Sequence, residues 1–234
     1  MLPNLPLYIS IVFALTTFLS VFLFYKATND SNKTLGIIIA YMILQAIFAF
    51  SGFYQVTDVL PPRILVLGVL PTILTMFILF LTSKGRAFID SLNPKILTIL
   101  HTIRIPVEFV LLWLFLSGAI PQIMTFEGQN FDIIAGLTAP FIYYFGFVKQ
   151  RLGKTTLLIW NFLMLALLLN IVITATLCAP LPFQQFALNQ PNIAIFYFPF
   201  VWLPTIVVPI VMFSHFATIR QLIRSPKTSM NLSL

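Results

Sequence analysis

Seven long apolar runs follow one another along the chain, over residues 7–25, 35–56, 64–81, 96–120, 133–148, 156–177 and 193–219. Each run is continuous rather than alternating, so none reads as a barrel strand. A helix needs about 20 apolar residues to cross a hydrocarbon core of about 30 Å. In lipid the backbone must satisfy its own hydrogen bonds, which leaves helices or closed barrels as the spanning structures. The pattern therefore predicts an all-α, polytopic membrane protein with seven transmembrane helices. Short connections leave no room for a soluble domain, so residues 1–234 are expected to form one seven-helix transmembrane domain. Residues 1–6 hold no Lys or Arg and no small-residue cleavage pattern follows, so the first helix is expected to remain in the protein rather than be removed as a signal peptide.

Composition removes the soluble alternative. The chain is 59% hydrophobic and only 8% charged, with a mean hydropathy of +1.01, far from an ordinary globular domain. Of its 13 Lys and Arg, 11 fall in alternate connections and in the tail: Lys26, Lys33; Lys84, Arg86, Lys95; Lys149, Arg151, Lys154; and Arg220, Arg224, Lys227. The opposite connections hold Arg63 alone. Basic loops stay in the cytoplasm, so this partition predicts an outside N-terminus, a cytoplasmic C-terminus and an odd number of spans. The net charge of +7 follows from that topology and from attraction to anionic lipid heads; it is scattered over four flanks and gives no basis for nucleic-acid binding. Cys178, the single cysteine, allows no intrachain disulfide and reads as a small apolar residue near a helix end.

Against this background the fourth run is anomalous, because it carries His101, Arg104 and Glu108. An unpaired charge in hydrocarbon costs at least about 2.5–3.5 kcal/mol, so these residues must face a polar interior. Arg104 and Glu108 are four apart and are expected to pair within the helix. His101, three before Arg104, falls on the same stripe. Pro106 frees the carbonyl of Thr102 and predicts a kink beside it. On the seventh run His215 lies at matching depth, and Pro199, Pro204 and Pro209 predict a bent or partly opened helix. Gln45, Thr138, Tyr143, Tyr144, Asn161 and Asn170 are further polar positions within the runs. Asn161 and Asn170, nine apart, face opposite sides of their helix. The candidate ligand-binding set is His101, Arg104, Glu108, His215, Tyr143 and Asn161. The structural alternative is that the Arg104 and Glu108 pair fixes helix packing while the histidines reach toward headgroups.

A second polar cluster is expected outside the membrane, in residues 125–132. There Asn130 suits a helix N-cap, Asp132 suits the first helical turn, and Glu127 and Asp132 face Arg63. Arg63, Glu127, Asn130 and Asp132 form this candidate external site, with residues 180–192 as a covering loop. No metal or cofactor is expected. Two histidines without cysteines or a carboxylate cluster fall short of a zinc or haem site. Every lysine lies in a connection or tail, so a retinal Schiff base on the seventh helix has no amine to form on. Pro121 and Gln122 are a lone dipeptide, placed wrongly for the paired repeat motif of seven-helix sugar exporters, and zinc-dependent seven-helix hydrolases need more histidine than this chain has.

Residues 101–132 and 182–220 resemble small uncharacterised bacterial seven-helix membrane proteins. The resemblance implies the same span count and a bacterial inner (cytoplasmic) membrane, with no activity attached. Two active readings stay open. In one, a pocket between helices three, four, five and seven binds or moves a small apolar or amphipathic ligand, with Arg104 receiving an anionic head. In the other, the protein is an intramembrane enzyme on a lipid or isoprenoid substrate, Glu108 the general acid and His101 or His215 the base; the Pro106-Val107-Glu108 triplet faintly echoes membrane carotenoid cyclases. A structural or accessory subunit is the third reading. Expected partners are membrane lipid and a small amphipathic ligand.

Overall fold

Prolines decide which apolar runs become unbroken helices. The three runs without an internal proline do so: α1 (Leu7–Ala27), α2 (Asn32–Phe50) and α8 (Lys154–Cys178). The computed structural model describes residues 2–3 and 5–224, all-helical in architecture with no strand among them; Lys227 falls outside this range. The four proline-bearing runs are each divided. Ahead of Pro71, residues Ile64–Val69 wind as a π-helix into α3 (Leu70–Leu81). The fourth run is α5 (Pro94–Leu100), a 3₁₀ turn His101–Ile103, and α6 (Arg104–Leu116), which places Pro106 in the first turn of α6. The fifth is α7 (Ile133–Ile142), containing Pro140, followed by a π-helix Tyr143–Val148. The seventh begins irregularly and becomes helical only at a π turn, Leu203–Val207, that leads into α9 (Val208–Arg224).

A proline withholds its amide from the carbonyl four residues back, and the fold supplies substitutes. The carbonyl of Leu67, four before Pro71, accepts from the Gln45 side-chain amide at 3.1 Å and lies 3.1 Å from the Tyr41 hydroxyl. Tyr54 then donates to Gln45 Oε1 at 2.6 Å. At Gly68 an added Cβ would lie 2.8 Å from Thr205 Cγ2, so closely do the π-helix before α3 and the π turn before α9 pack.

Six helical segments are long and apolar enough to cross a bilayer, and Ile133–Val148 is a shorter apolar helix. At 1.5 Å per residue it spans about 24 Å. Its bounds are those of the fifth run, and the segment before it turns inward. Gly118, at φ +76°, ends α6. Gly118 N donates to Phe115 O and Ala119 N to Leu114 O, both at 2.9 Å, the paired bonds of a Schellman cap. Residues 119–132 then fold into the bundle, burying Ala119, Ile120, Met124, Thr125 and Asn130. Asn170 Nδ2 donates to Gln129 O, and Gln190 Nε2 donates to Ile120 O at 2.6 Å. The connection between α8 and α9 thus covers this segment.

From there α7 runs back along α6 and α5, starting beside Arg104 and ending against α5. A Cβ on Gly136 would stand 3.0 Å from the backbone nitrogen of Ile105, so only glycine allows the approach. The connections carrying most basic residues are tied together at one end of the bundle. Asn93 N donates to Ala27 O, Asn29 Nδ2 to Ser91 O, and Lys154 Nζ to Ile223 O. There α4 (Ser83–Ser91) lies across the end of α9, with Asp90 held by Arg220 and Arg224. The bundle's exterior is apolar, exposing Leu15, Phe18, Ile43, Phe77 and Phe162. Long apolar helices with such an exterior make this a membrane-embedded helical protein.

Candidate functional site

His101, Arg104 and Glu108 are 0%, 2% and 1% exposed. The break at His101–Ile103 lets them face different neighbours. Arg104 reaches away from its own helix: Nη1 lies 2.9 Å from Asp132 Oδ1 and 3.2 Å from Met164 O, and Nη2 lies 2.9 Å from His215 Nε2. One guanidinium therefore joins α6 to the start of α7, the middle of α8 and the middle of α9. The expected pair between Arg104 and Glu108 is replaced by the ion pair with Asp132, because α7 begins inside the bundle at the depth of Arg104.

His215 is fixed on both sides. Asn161 donates through Nδ2 to Leu157 O, which leaves its Oδ1 to accept from His215 Nδ1 at 2.9 Å. The remaining nitrogen, Nε2, then accepts from Arg104. This is the pattern of a neutral ring protonated on Nδ1. His101 does meet His215, as their shared depth suggests, but face to face: the rings stack at 3.9 Å with 16° between planes, and Trp160 meets His101 edge-on at 5.5 Å. Nitrogen lone pairs lie in the ring plane, so stacked rings do not converge them on one metal ion. With both nitrogens of His215 engaged, that ring has no free lone pair for service as a general base. Both ring nitrogens of His101 are buried with no hydrogen-bond partner among the described residues.

Glu108 turns to the inward-folded segment. Its Oε1 accepts from Asn130 Nδ2 at 2.6 Å, and Asn130 Nδ2 also lies 3.0 Å from Met124 O. Asn130 Oδ1 accepts from the Asp132 amide at 3.0 Å. Asn130 is therefore a brace inside the loop rather than the helix cap expected for it, and Asp132 directs its carboxylate at Arg104 rather than at the helix amides. The expected external site is not assembled. Asn130 and Asp132 are buried with the fourth-run residues, Glu127 is exposed, and Arg63 donates to Phe53 O at 3.2 Å and lies over the Phe53 ring. Tyr143 is half-buried and stands apart from this network, while Asn161 belongs to it.

A cavity of about 540 Å³ lies elsewhere, between α2, α3 and α9. Its walls include Ile37 and Ile38, Met76 and Leu79, and Pro209 and Phe213; Ser31, Lys33 and Thr34 sit at one end beside Phe88 of α4. None of His101, Arg104, Glu108 or His215 lines it. The charged residues expected around a pocket between helices three, four, five and seven pack together, and this cavity falls between the second, third and last helices.

Residues 61–223 match the model of a family described as Domain of unknown function (DUF8737). The chain belongs to that family. The DUF8737 match takes in α3 through most of α9, hence the whole polar centre and two of the three cavity walls; α2 lies before it. No curated protein and no solved structure matches the chain.

Helical spacing does not reveal the partnership of Asp132 with Arg104, nor the contributions of Trp160 and the Met164 carbonyl. One signal pointed to the first: the fifth run is the shortest of the seven, too short to cross comfortably, and Asp132 stands at its start. A helix too short to cross the hydrocarbon core by itself can begin below the surface, and Asp132 at its head is then carried inward with it.

Proposed function

We propose that the protein binds a small amphipathic ligand in the cleft between α2, α3 and α9. It is a single-domain, multi-pass protein of a bacterial inner membrane, with its N-terminus outside and its C-terminus cytoplasmic. In this reading the chain passes the bilayer seven times, six times as full-length helices and once as the inward-folded segment followed by α7. The partition of basic connections supports the orientation. The observation that carries the binding reading is the cavity itself: about 540 Å³, within the range of roughly 300–1,000 Å³ common to ligand sites, apolar along its walls and polar at one end. The polar centre serves as the lock that holds α7 against α6, α8 and α9.

Native mass spectrometry of protein extracted in mild detergent tests this. Wild type should carry a stoichiometric amphiphile, and Met76→Trp, which places an indole in the cleft, should release it without loss of folding. A wild-type protein free of any adduct, or an adduct indifferent to the indole, would overturn the proposal.

A second reading rests on the unpartnered groups of the polar centre. The two nitrogens of His101 and Oε2 of Glu108 are buried without hydrogen bonds, and such groups cost about 1–3 kcal/mol each when left unsatisfied. They suit a small polar molecule held between α6 and the inward-folded segment. In that case His101→Phe would displace the molecule while leaving the cleft adduct in place.

A further inference from the structure

We infer that the occupant of the cleft is a single-chain carboxylate, a fatty-acid-like monoanion whose head sits on Lys33 and whose tail lies between α3 and α9. The inference rests on the cleft reading and adds the chemistry of the head and the direction of the tail.

The polarity of the cleft is one-sided for a definite reason. Its deeper hydroxyls are already turned onto backbone carbonyls: Thr72 donates to Val69 O at 2.7 Å, Thr75 to Pro71 O at 2.8 Å and Thr205 to Val201 O at 2.8 Å. The Tyr41 hydroxyl is likewise directed at Gly68 O, 2.7 Å away. With those donors engaged, the deep part of the cleft offers hydrocarbon and ring surface to a ligand. At the other end stands Lys33, the one charged residue in the lining. The nearby acid Asp30 is held by Lys26 at 2.9 Å, and Lys33 has no ion-pair partner among the described residues. Beside it the Thr34 hydroxyl donates to Ser31 Oγ at 3.0 Å, which leaves the Ser31 hydroxyl hydrogen for a ligand.

A lone cation at the rim of an apolar slot complements a lone anion on an apolar chain. No carboxylate lines the cleft to repel one. A single lysine matches a monoanion better than a phosphate monoester dianion, whose recognition calls for clustered cations or a bidentate arginine. The cleft's volume suits one chain rather than two.

The test is an electron-spin-resonance titration of detergent-solubilised full-length protein. The probes are a nitroxide-labelled long-chain fatty acid and its methyl ester, at about pH 8, where a carboxylate is ionised and lysine is protonated. The acid should bind wild type about fivefold more tightly than the ester, the increment of one interfacial lysine. Lys33→Gln should bring the acid to the ester's affinity and leave the ester unchanged, whereas Lys33→Arg should keep the preference. Equal binding of acid and ester to wild type would overturn the carboxylate head, as would a preference that survives Lys33→Gln or a long-chain alkyl phosphate that outcompetes the acid. Those outcomes leave the cleft standing if Met76→Trp still excludes both probes. If neither probe binds, or Met76→Trp changes nothing, the cleft reading itself fails.

Discussion

At the scale of single residues, the ion pair between Arg104 and Asp132 is the interaction on which the interior depends. Both side chains are buried, and removing one partner of such a pair leaves an uncompensated charge at a cost of about 3–5 kcal/mol. Asp132→Asn should therefore destabilise the protein by about that amount. Arg104→Met combined with Asp132→Leu should recover much of it, since an apolar pair leaves no orphan charge. The chain supplies its own reporter: Cys178 is the single cysteine and is fully buried, so reaction with a thiol-sensitive dye during heating follows unfolding. A double variant as unstable as the single one would contradict the pairing. The sequence made Arg104 and Glu108 legible as costly intramembrane charges and brought His215 to the right depth. It hid the actual partners, because helical spacing joins residues along one helix, whereas Asp132 arrives from an inward-folded segment 28 positions further along the chain.

At the scale of elements, prolines and glycines set what each helix can do. Pro106 foretells the irregularity of the fourth run; Pro71 and Pro140 stand beside the π-helices of theirs, and the carbonyl freed ahead of Pro71 is answered by Gln45 and Tyr41. The irregular entry to α9 follows in the same way from Pro199 and Pro204. Close docking of α7 is legible only in space. Gly136→Ala would press a methyl to 2.7 Å from Ile105 Cγ1 and 3.0 Å from its backbone nitrogen, and overpacking of this kind costs about 1–3 kcal/mol. Gly36→Ala within α2, with nothing within 4 Å of the new Cβ, is the matched control and should not lower thermal stability, since alanine suits a helix interior better than glycine. At the polar end, α4 is latched by Asp90, which accepts from Arg220 Nε at 2.9 Å and Arg224 Nη1 at 2.8 Å. The hydrogen bond from Arg220, with that from Arg224, holds the Asp90 carboxyl below the usual carboxylate range. Because the folded value is depressed, the latch contributes stability above the ordinary carboxylate range and loses it as pH falls through the folded value. Thermal stability of wild type should thus fall more steeply than that of Asp90→Asn on acidification below about pH 4. Parallel curves for the two proteins would show that Asp90 contributes nothing to the latch.

At the scale of the whole molecule, hydropathy and charge made the class legible: a helical protein embedded in a membrane, with its basic connections gathered at one end. The shortened fifth helix was written in the length of its run. The cleft was not legible, because a cavity between α2, α3 and α9 depends on how three separate helices splay. Its lining draws on residues as distant in sequence as Lys33 and Phe213, and its apolar depth depends on hydroxyls whose hydrogens are directed at backbone carbonyls. On the proposed reading, the charge packed at the centre acts as a lock and the open space between α2, α3 and α9 as a binding site. An experimental density map of the protein in lipid nanodiscs tests that division most directly. Elongated density in the cleft ending at Lys33, with Arg104 and Asp132 joined at the centre, is the expected result; α2 closed upon α3, with ligand density lying instead between His101 and Glu108, would overturn it.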